Sequence, residues 1–367
     1  MPAILFNQTP SVEPRHSSKP TTSVATQSQT ASSQDLPSAA DCAAHLHLLE
    51  AFITLNETIQ DLAVDAGLSP DRAWGSFCNR AVARFEEWSA RGPADRTTMP
   101  PVDVLMAWHA LMLHPKAYAR FVELGGKLGL DGMDWSRIST SAVPDVDIDS
   151  LTSTHTGIFT LRSSAGTPLF TYPLAAAIRR QVSFSLKMTR HAWLRSPSLA
   201  STLGRARARY ARFFRLIAAH PRTVMVPTLD VDLVWHTHQL APARYLAHSK
   251  LVVGRLVDHD DEIEDATLGA LSADMQTLWA DAFGEAYHVC LCWACEGGRA
   301  GVDAGAVAEA LRGELPCADL AFPRCDDCGA HPESCCPEVE GAAGCGSGCG
   351  GGCGGEGGCG SCGAMRG

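Results

Sequence analysis

No run of about 18 apolar residues occurs in the chain, so no transmembrane helix is expected. Residues 1–40 have no apolar core segment of the kind a secretory leader needs. The expected location is therefore the cytoplasm, with thiols kept reduced. Basic charge is scarce: 30 Lys plus Arg stand against 40 Asp plus Glu, a net charge of -10. Phosphate backbones select basic surfaces, so the chain as a whole does not read as a nucleic-acid binder. Familiar catalytic signatures are missing too. There is no His-Glu-x-x-His zinc helix and no Gly-x-Ser-x-Gly elbow. Gly125-Gly126-Lys127 lacks the rest of a phosphate loop.

What is present divides the 367 residues into three compositions. Residues 1–40 are rich in Ser, Thr, Gln and Pro and cannot bury enough surface to offset chain entropy, so disorder is expected there. Residues 41–289 hold most of the aromatics and only two cysteines, Cys42 and Cys78. The other 13 of 15 cysteines begin at Cys290. Residues 296–367 carry 11 acidic and 4 basic side chains, a net of -7, so most of the negative charge sits in this Cys/Gly-rich tail.

The central region reads as helical. Leu48, Phe52, Leu55, Ile59 and Leu62 recur at three- and four-residue steps, one face of an amphipathic helix over 44–62. Ser69-Pro70-Asp71 starts a second helix by capping hydroxyl, first-turn proline and acid at the positive dipole end. Further helices are expected over 173–194, around Tyr210 to Ile217, and from Ser272 through Trp279 to Phe283. The stretch 139–171 is Ser/Thr/Asp/Gly-rich, with Ile158 to Leu161 as one short apolar run, and is expected to be a linker or small hairpin.

A repeat runs through this region. Pro100, Asp103, Val104, Trp108, His109, Pro115 and Tyr118 recur as Pro227, Asp230, Val231, Trp235, His236, Pro242 and Tyr245, all at an offset of 127. The expectation is an all-α duplicated domain, with one half at 41–138 and the other at 172–295.

The second copy is richer in donor atoms: Asp230-Val231-Asp232-Leu233-Val234-Trp235-His236-Thr237-His238. On a helix Asp232 and His236 share a face at i and i+4, and Asp230 can cap the helix start. His238 lies about 200° from His236 and joins the same ion only if the helix ends there. With His259, these residues make a possible zinc or iron set of Asp232, His236, His238 and His259. The two-His-one-carboxylate form of that idea takes His259-x-Asp261 with His288 as distal ligand. The plain structural reading competes: Trp108 and Trp235 fill the core, and His109 and His236 make buried hydrogen bonds. That the first copy keeps Trp-His while Leu105 and Leu111 replace Asp232 and His238 favours structure.

Arg205, Arg209 and Arg212 belong to a basic run beside Tyr210, Phe213 and Phe214, a possible anion-binding face or simply a solvated one. Cys290-x-Cys292-x-x-Cys295 closes the domain, and Cys325-x-x-Cys328 opens the tail pattern. Reduced thiols at such spacings bind zinc or copper(I).

Val226 to Leu240, with its Trp235-His236-Thr237-His238-Gln239-Leu240 ending, resembles the signature of the glycine-rich domain-containing protein-like family. Pro100 to Tyr118, His259-Asp260-Asp261 and Cys290 to Cys295 fit the same pattern in order. The resemblance implies a largely uncharacterised family whose plant members resemble growth and stress regulators. Some carry an RNA-recognition-like segment, whose aromatic motif this chain does not show. Fungal-type members with such a tail are similar to proteins described as 2-oxoglutarate-dependent dioxygenases.

The resulting expectation is a non-enzymatic binding or regulatory protein that holds zinc or iron and meets a protein or small-molecule partner away from membranes. The alternatives are an iron-dependent dioxygenase and an RNA-associated stress protein using the arginine face.

Overall fold

In a computed structural model the described residues are 35–90, 99–126, 146–147, 151–261, 265–303, 305–307 and 309–310. The described residues are all-α apart from one short hairpin. The helices are α1 (Ala39–Asp65), α2 (Pro70–Ala90), α3 (Val102–Met112), α4 (Pro115–Glu123) and α5 (Leu174–Arg190). They continue as α6 (Leu199–Ala219), α7 (Leu229–Gln239), α8 (Pro242–Val253), α9 (Asp265–Phe283) and α10 (Trp293–Ala300). No described helix is long and apolar enough to cross a membrane.

α1 begins five residues before the apolar periodicity does, because a capping box fixes its start. The Asp41 N–H donates to Ser38 Oγ at 3.0 Å and the Ser38 N–H donates to Asp41 Oδ2 at 2.8 Å. Two donors that the helix cannot satisfy internally are thus paired. Ser38→Ala is expected to lower stability by about 1 kcal/mol, read as a small drop in thermal midpoint. An unchanged midpoint would show that the box contributes nothing.

The core forms around α1, which packs on α2, α3, α5, α6 and α7. Leu48, Leu49, Leu55 and Ile59 are almost wholly buried along it. α3 is buried on every side, which explains its nearly unbroken apolar sequence. It packs on α2 just as α7 packs on α6, and both Trp-His helices are 11 residues long. Each leads into a helix with proline in its first turn, Pro115 in α4 and Pro242 in α8.

The hairpin pairs β1 (Phe159–Arg162) with β2 (Pro168–Tyr172), antiparallel, with Phe159 opposite Tyr172. Its Phe159 ring packs against Phe85 of α2 and Phe121 of α4. Gly157, just before β1, has φ +70°, and a Cβ there would collide with Asn79 and Ala175.

Two expected boundaries move. The fifth helical pattern starts at Asp265, not Ser272, because Met275 and Trp279 anchor a helix that runs through the weak formers Thr267 and Gly269. The expected end of the domain at residue 295 falls inside α10, whose Glu296 is buried and accepts from Thr202 Oγ1 at 2.7 Å. Residues 1–34 and 311–367 lie outside the described residues. The disorder expected over 1–40 does not extend to residues 35–40, where the Ser38 capping box opens α1 at Ala39, and the rest of it, like the tail with Cys325 and Cys328, lies outside the described residues.

Candidate functional site

α7 carries the site. Its apolar residues Val231, Leu233, Val234 and Trp235 are buried, so its polar residues are drawn into the interior with them. The Trp235 indole N–H donates to Tyr245 Oη at 2.8 Å, and Tyr245 donates on to the Val257 carbonyl at 2.8 Å. These bonds hold the segment after α8 against α7 and deliver His259 to the face that carries Asp232 and His236.

Three donor atoms meet there. His236 Nε2 lies 3.0 Å from His259 Nε2. Asp232 Oδ1 lies 3.2 Å from His236 Nε2 and 3.6 Å from His259 Nε2. Asp232 and His236 reach one another because they are four residues apart on one helix. Both histidines are buried, whereas the Asp232 side chain remains 18% exposed and marks the open side.

Electrostatics separates the three. Burial disfavours a charged Asp232, yet the two histidines outweigh it and hold the carboxyl below its usual range. Burial lowers the His236 pKa despite the Asp232 carboxylate. Burial also opposes charge on His259, but Asp232, Asp261 and Asp258 together raise its pKa. Three lone-pair-bearing atoms thus face a common point that favours positive charge.

The other expected ligands go elsewhere. α7 runs on to Gln239, so His238 faces away from His236, as two helical residues must. Its Nδ1 bonds Tyr210 Oη at 2.9 Å, and its ring packs beside His248. His288, the proposed distal ligand, bonds Ser272 Oγ at 2.8 Å. Asp261 is held by Arg180 and Gln181 of α5, each at 3.0 Å. Asp230 does not cap α7: the cap residue is Thr228, and Asp230 pairs instead with Arg209 at 2.7 Å.

The first Trp-His helix places His109 in a different setting. His45 of α1 offers Nε2 to His109 Nε2 at 2.9 Å and Nδ1 to Thr237 Oγ1 at 2.9 Å. Thr237 donates its own proton to the Leu233 carbonyl, so it must accept from His45 Nδ1–H. His45 Nε2 is then an acceptor and His109 Nε2–H the donor. This is a neutral hydrogen-bonded pair linking α1, α3 and α7, with His109 Nδ1 buried and without a hydrogen-bond partner. With Leu105 where α7 has Asp232, no carboxylate joins it. His45 escaped sequence reasoning because it lies 64 residues from its partner, and no spacing rule connects them.

The arginine run does not form a free cationic face. Arg209 is buried between Asp230, Thr228 and the Tyr287 carbonyl. Arg212 pairs with Glu285 at 2.6 Å, and Arg205 pairs with Glu296. The alternate-residue spacing reads as a solvated or anion-binding stripe, but acidic partners from α10, the first turn of α7 and the segment after α9 occupy these three side chains.

Residues 135–248 match the sequence profile of the glycine-rich domain-containing protein-like family. Over that segment the chain is similar to this family. The family segment includes Asp232, His236 and Arg209, whereas His45, His109 and His259 fall outside it. Glycine-rich domain-containing protein 1 of Arabidopsis thaliana is 28% identical over 218 residues, covering 53% of this chain and 26% of its own length. Glycine-rich domain-containing protein 2 of the same plant is 26% identical over 232 residues, covering 56% of this chain and 28% of its own length. The chain spans about a quarter of the length of these curated relatives. No solved structure matches it.

Proposed function

We propose that the protein is a non-enzymatic metal-binding member of the glycine-rich domain-containing protein-like family, with Asp232, His236 and His259 holding one divalent first-row ion, zinc or iron. The observation that carries this reading is the 3.0, 3.2 and 3.6 Å triangle of donor atoms. A tetrahedral ion with bonds of about 2.0–2.1 Å sets its ligands about 3.3 Å apart. The triangle already has that edge. One proton can bridge only one pair of these atoms at a time, whereas an ion satisfies all three. Imidazole with carboxylate suits zinc, iron and neighbouring metals. Through His259, an ion here would tie the 257–261 segment to α7 and so couple its occupancy to the local fold.

The test is the metal content of the full chain, purified without chelator, against His236→Ala and Asp232→Asn. The reading expects each variant to lose one equivalent of zinc or iron relative to the parent. Equal content in all three would reduce the triangle to a hydrogen-bonded cluster. The same two-His-one-carboxylate set serves non-haem iron oxygenases. Iron in the site together with metal-dependent consumption of 2-oxoglutarate would replace the non-enzymatic reading with that one.

A further inference from the structure

A second constellation lies well along the chain from α7, where α9 gives way to α10. Gly284, at φ +68°, turns the chain, and the Gln276 side-chain oxygen accepts the Tyr287 and His288 N–H groups. The chain then passes through Cys290 and reaches Cys292, which has extended backbone and stands at the cap position of α10. Cys295 follows in the first turn. A three-residue step across a helix start puts Cys292 and Cys295 on one side, and the preceding extended residues bring Cys290 to them. The three Sγ atoms lie within 4.8 Å of one another.

This segment is fixed to the domain by two reciprocal bonds. The Trp193 indole donates to the Leu291 carbonyl at 3.0 Å, and the Trp293 indole donates to the His191 carbonyl at 2.7 Å. Between His191 and Trp193, Ala192 sits in the left-handed region at φ 47°, the one non-glycine residue at positive φ among the described residues. That conformation is unfavourable for a residue with a Cβ and persists only where the surroundings hold it. The clamp is such a constraint. It leaves His191 Nδ1 buried without a hydrogen-bond partner.

We propose that Cys290, Cys292 and Cys295 form a three-thiolate zinc centre at the start of α10, with its fourth position open to solvent. Zinc–sulfur bonds of about 2.3 Å set thiolates about 3.8 Å apart in a tetrahedron, within the spacing seen here. Zinc binding would displace the thiol protons to solvent, with no change of oxidation state. This centre shares no ligand with the α7 triangle, so each can fail alone.

The test uses the full chain with the ten cysteines from Cys317 to Cys362 changed to serine, titrated with cobalt(II). One equivalent is expected to give a sulfur-to-cobalt charge-transfer band with tetrahedral visible bands. Cys292→Ser should weaken that binding by at least about 100-fold. Asp232→Asn, which touches only the other cluster, should leave the band in place. Cys290→Ser, at a half-buried position, repeats the measurement should Cys292→Ser disturb the fold. The absence of a thiolate band in the ten-serine chain, or its survival in both cysteine variants, would overturn the centre.

Discussion

Replacing Arg209 with alanine is expected to lower stability by about 3–5 kcal/mol, the usual result of breaking a buried ion pair by removing one partner. Arg209 donates to Asp230 at 2.7 Å, to Thr228 at 3.2 Å and to the Tyr287 carbonyl at 2.6 Å. Its guanidinium also lies 5.0 Å from the Trp279 ring centre and 5.7 Å from that of Tyr287. It therefore joins α6 to the start of α7 and to the α9 segment at once. Alanine leaves Asp230, which is 3% exposed, as an unpaired charge in the interior. Arg209→Lys keeps the charge but loses the planar fork that reaches several acceptors, so it should recover only part of the loss. Arg209→Met with Asp230→Leu should recover more, because the larger penalty comes from the orphaned carboxylate. Urea unfolding of the full chain measures all three variants against the parent. A loss below about 1 kcal/mol for Arg209→Ala would mean that this arginine behaves like a surface one.

That arginine also shows where sequence reasoning stops. A run at 205, 207, 209, 212 and 215 invites a reading as a cationic face, since charge runs are usually solvated. Nothing local distinguishes Arg209 from its neighbours. The distinction comes from Asp230, 21 residues on, and Tyr287, 78 residues on. The helices were more legible because amphipathic periodicity is written locally: Ser69-Pro70 marked α2, and the Trp-His runs marked two buried helices. Asp232 with His236 was legible for the same reason, as an i, i+4 pair. His259 required the Tyr245–Val257 bond to bring it in, and His45 required α1 to pack across both Trp-His helices. Residues that depend on tertiary docking leave little trace in spacing.

The same docking explains why the domain should unfold in mild acid. His45 and His238 have pKa values of about 3, and that of His109 is well below normal, chiefly because burial disfavours the charged ring. In the unfolded chain each titrates near the ordinary value of about 6.5. The folded state is thus the form that binds fewer protons, and its advantage is complete above about pH 6.5. As pH falls from there toward about 3, the unfolded chain takes up protons that the folded one refuses. Each such histidine removes about 1.4 kcal/mol per pH unit, so three remove about 4. A domain with about 5–15 kcal/mol in hand would cross its midpoint after a few pH units of such loss, near pH 5 to 4 for the lower part of that range. Asp232, whose folded pKa is depressed by His236 and His259, acts in a separate window, losing its contribution below the ordinary carboxyl value. The slope between pH 6 and 4.5 therefore belongs mainly to the buried histidines. Replacing His238 with phenylalanine should reduce that slope by up to one histidine's share, about 1.4 kcal/mol per pH unit, even if it lowers stability at pH 7 through loss of the Tyr210 bond. A stability that stays level from pH 7 to 4 would show that these imidazoles accept protons in the folded state, and that the His45–His109 pair is not the neutral hydrogen bond its Thr237 contact implies.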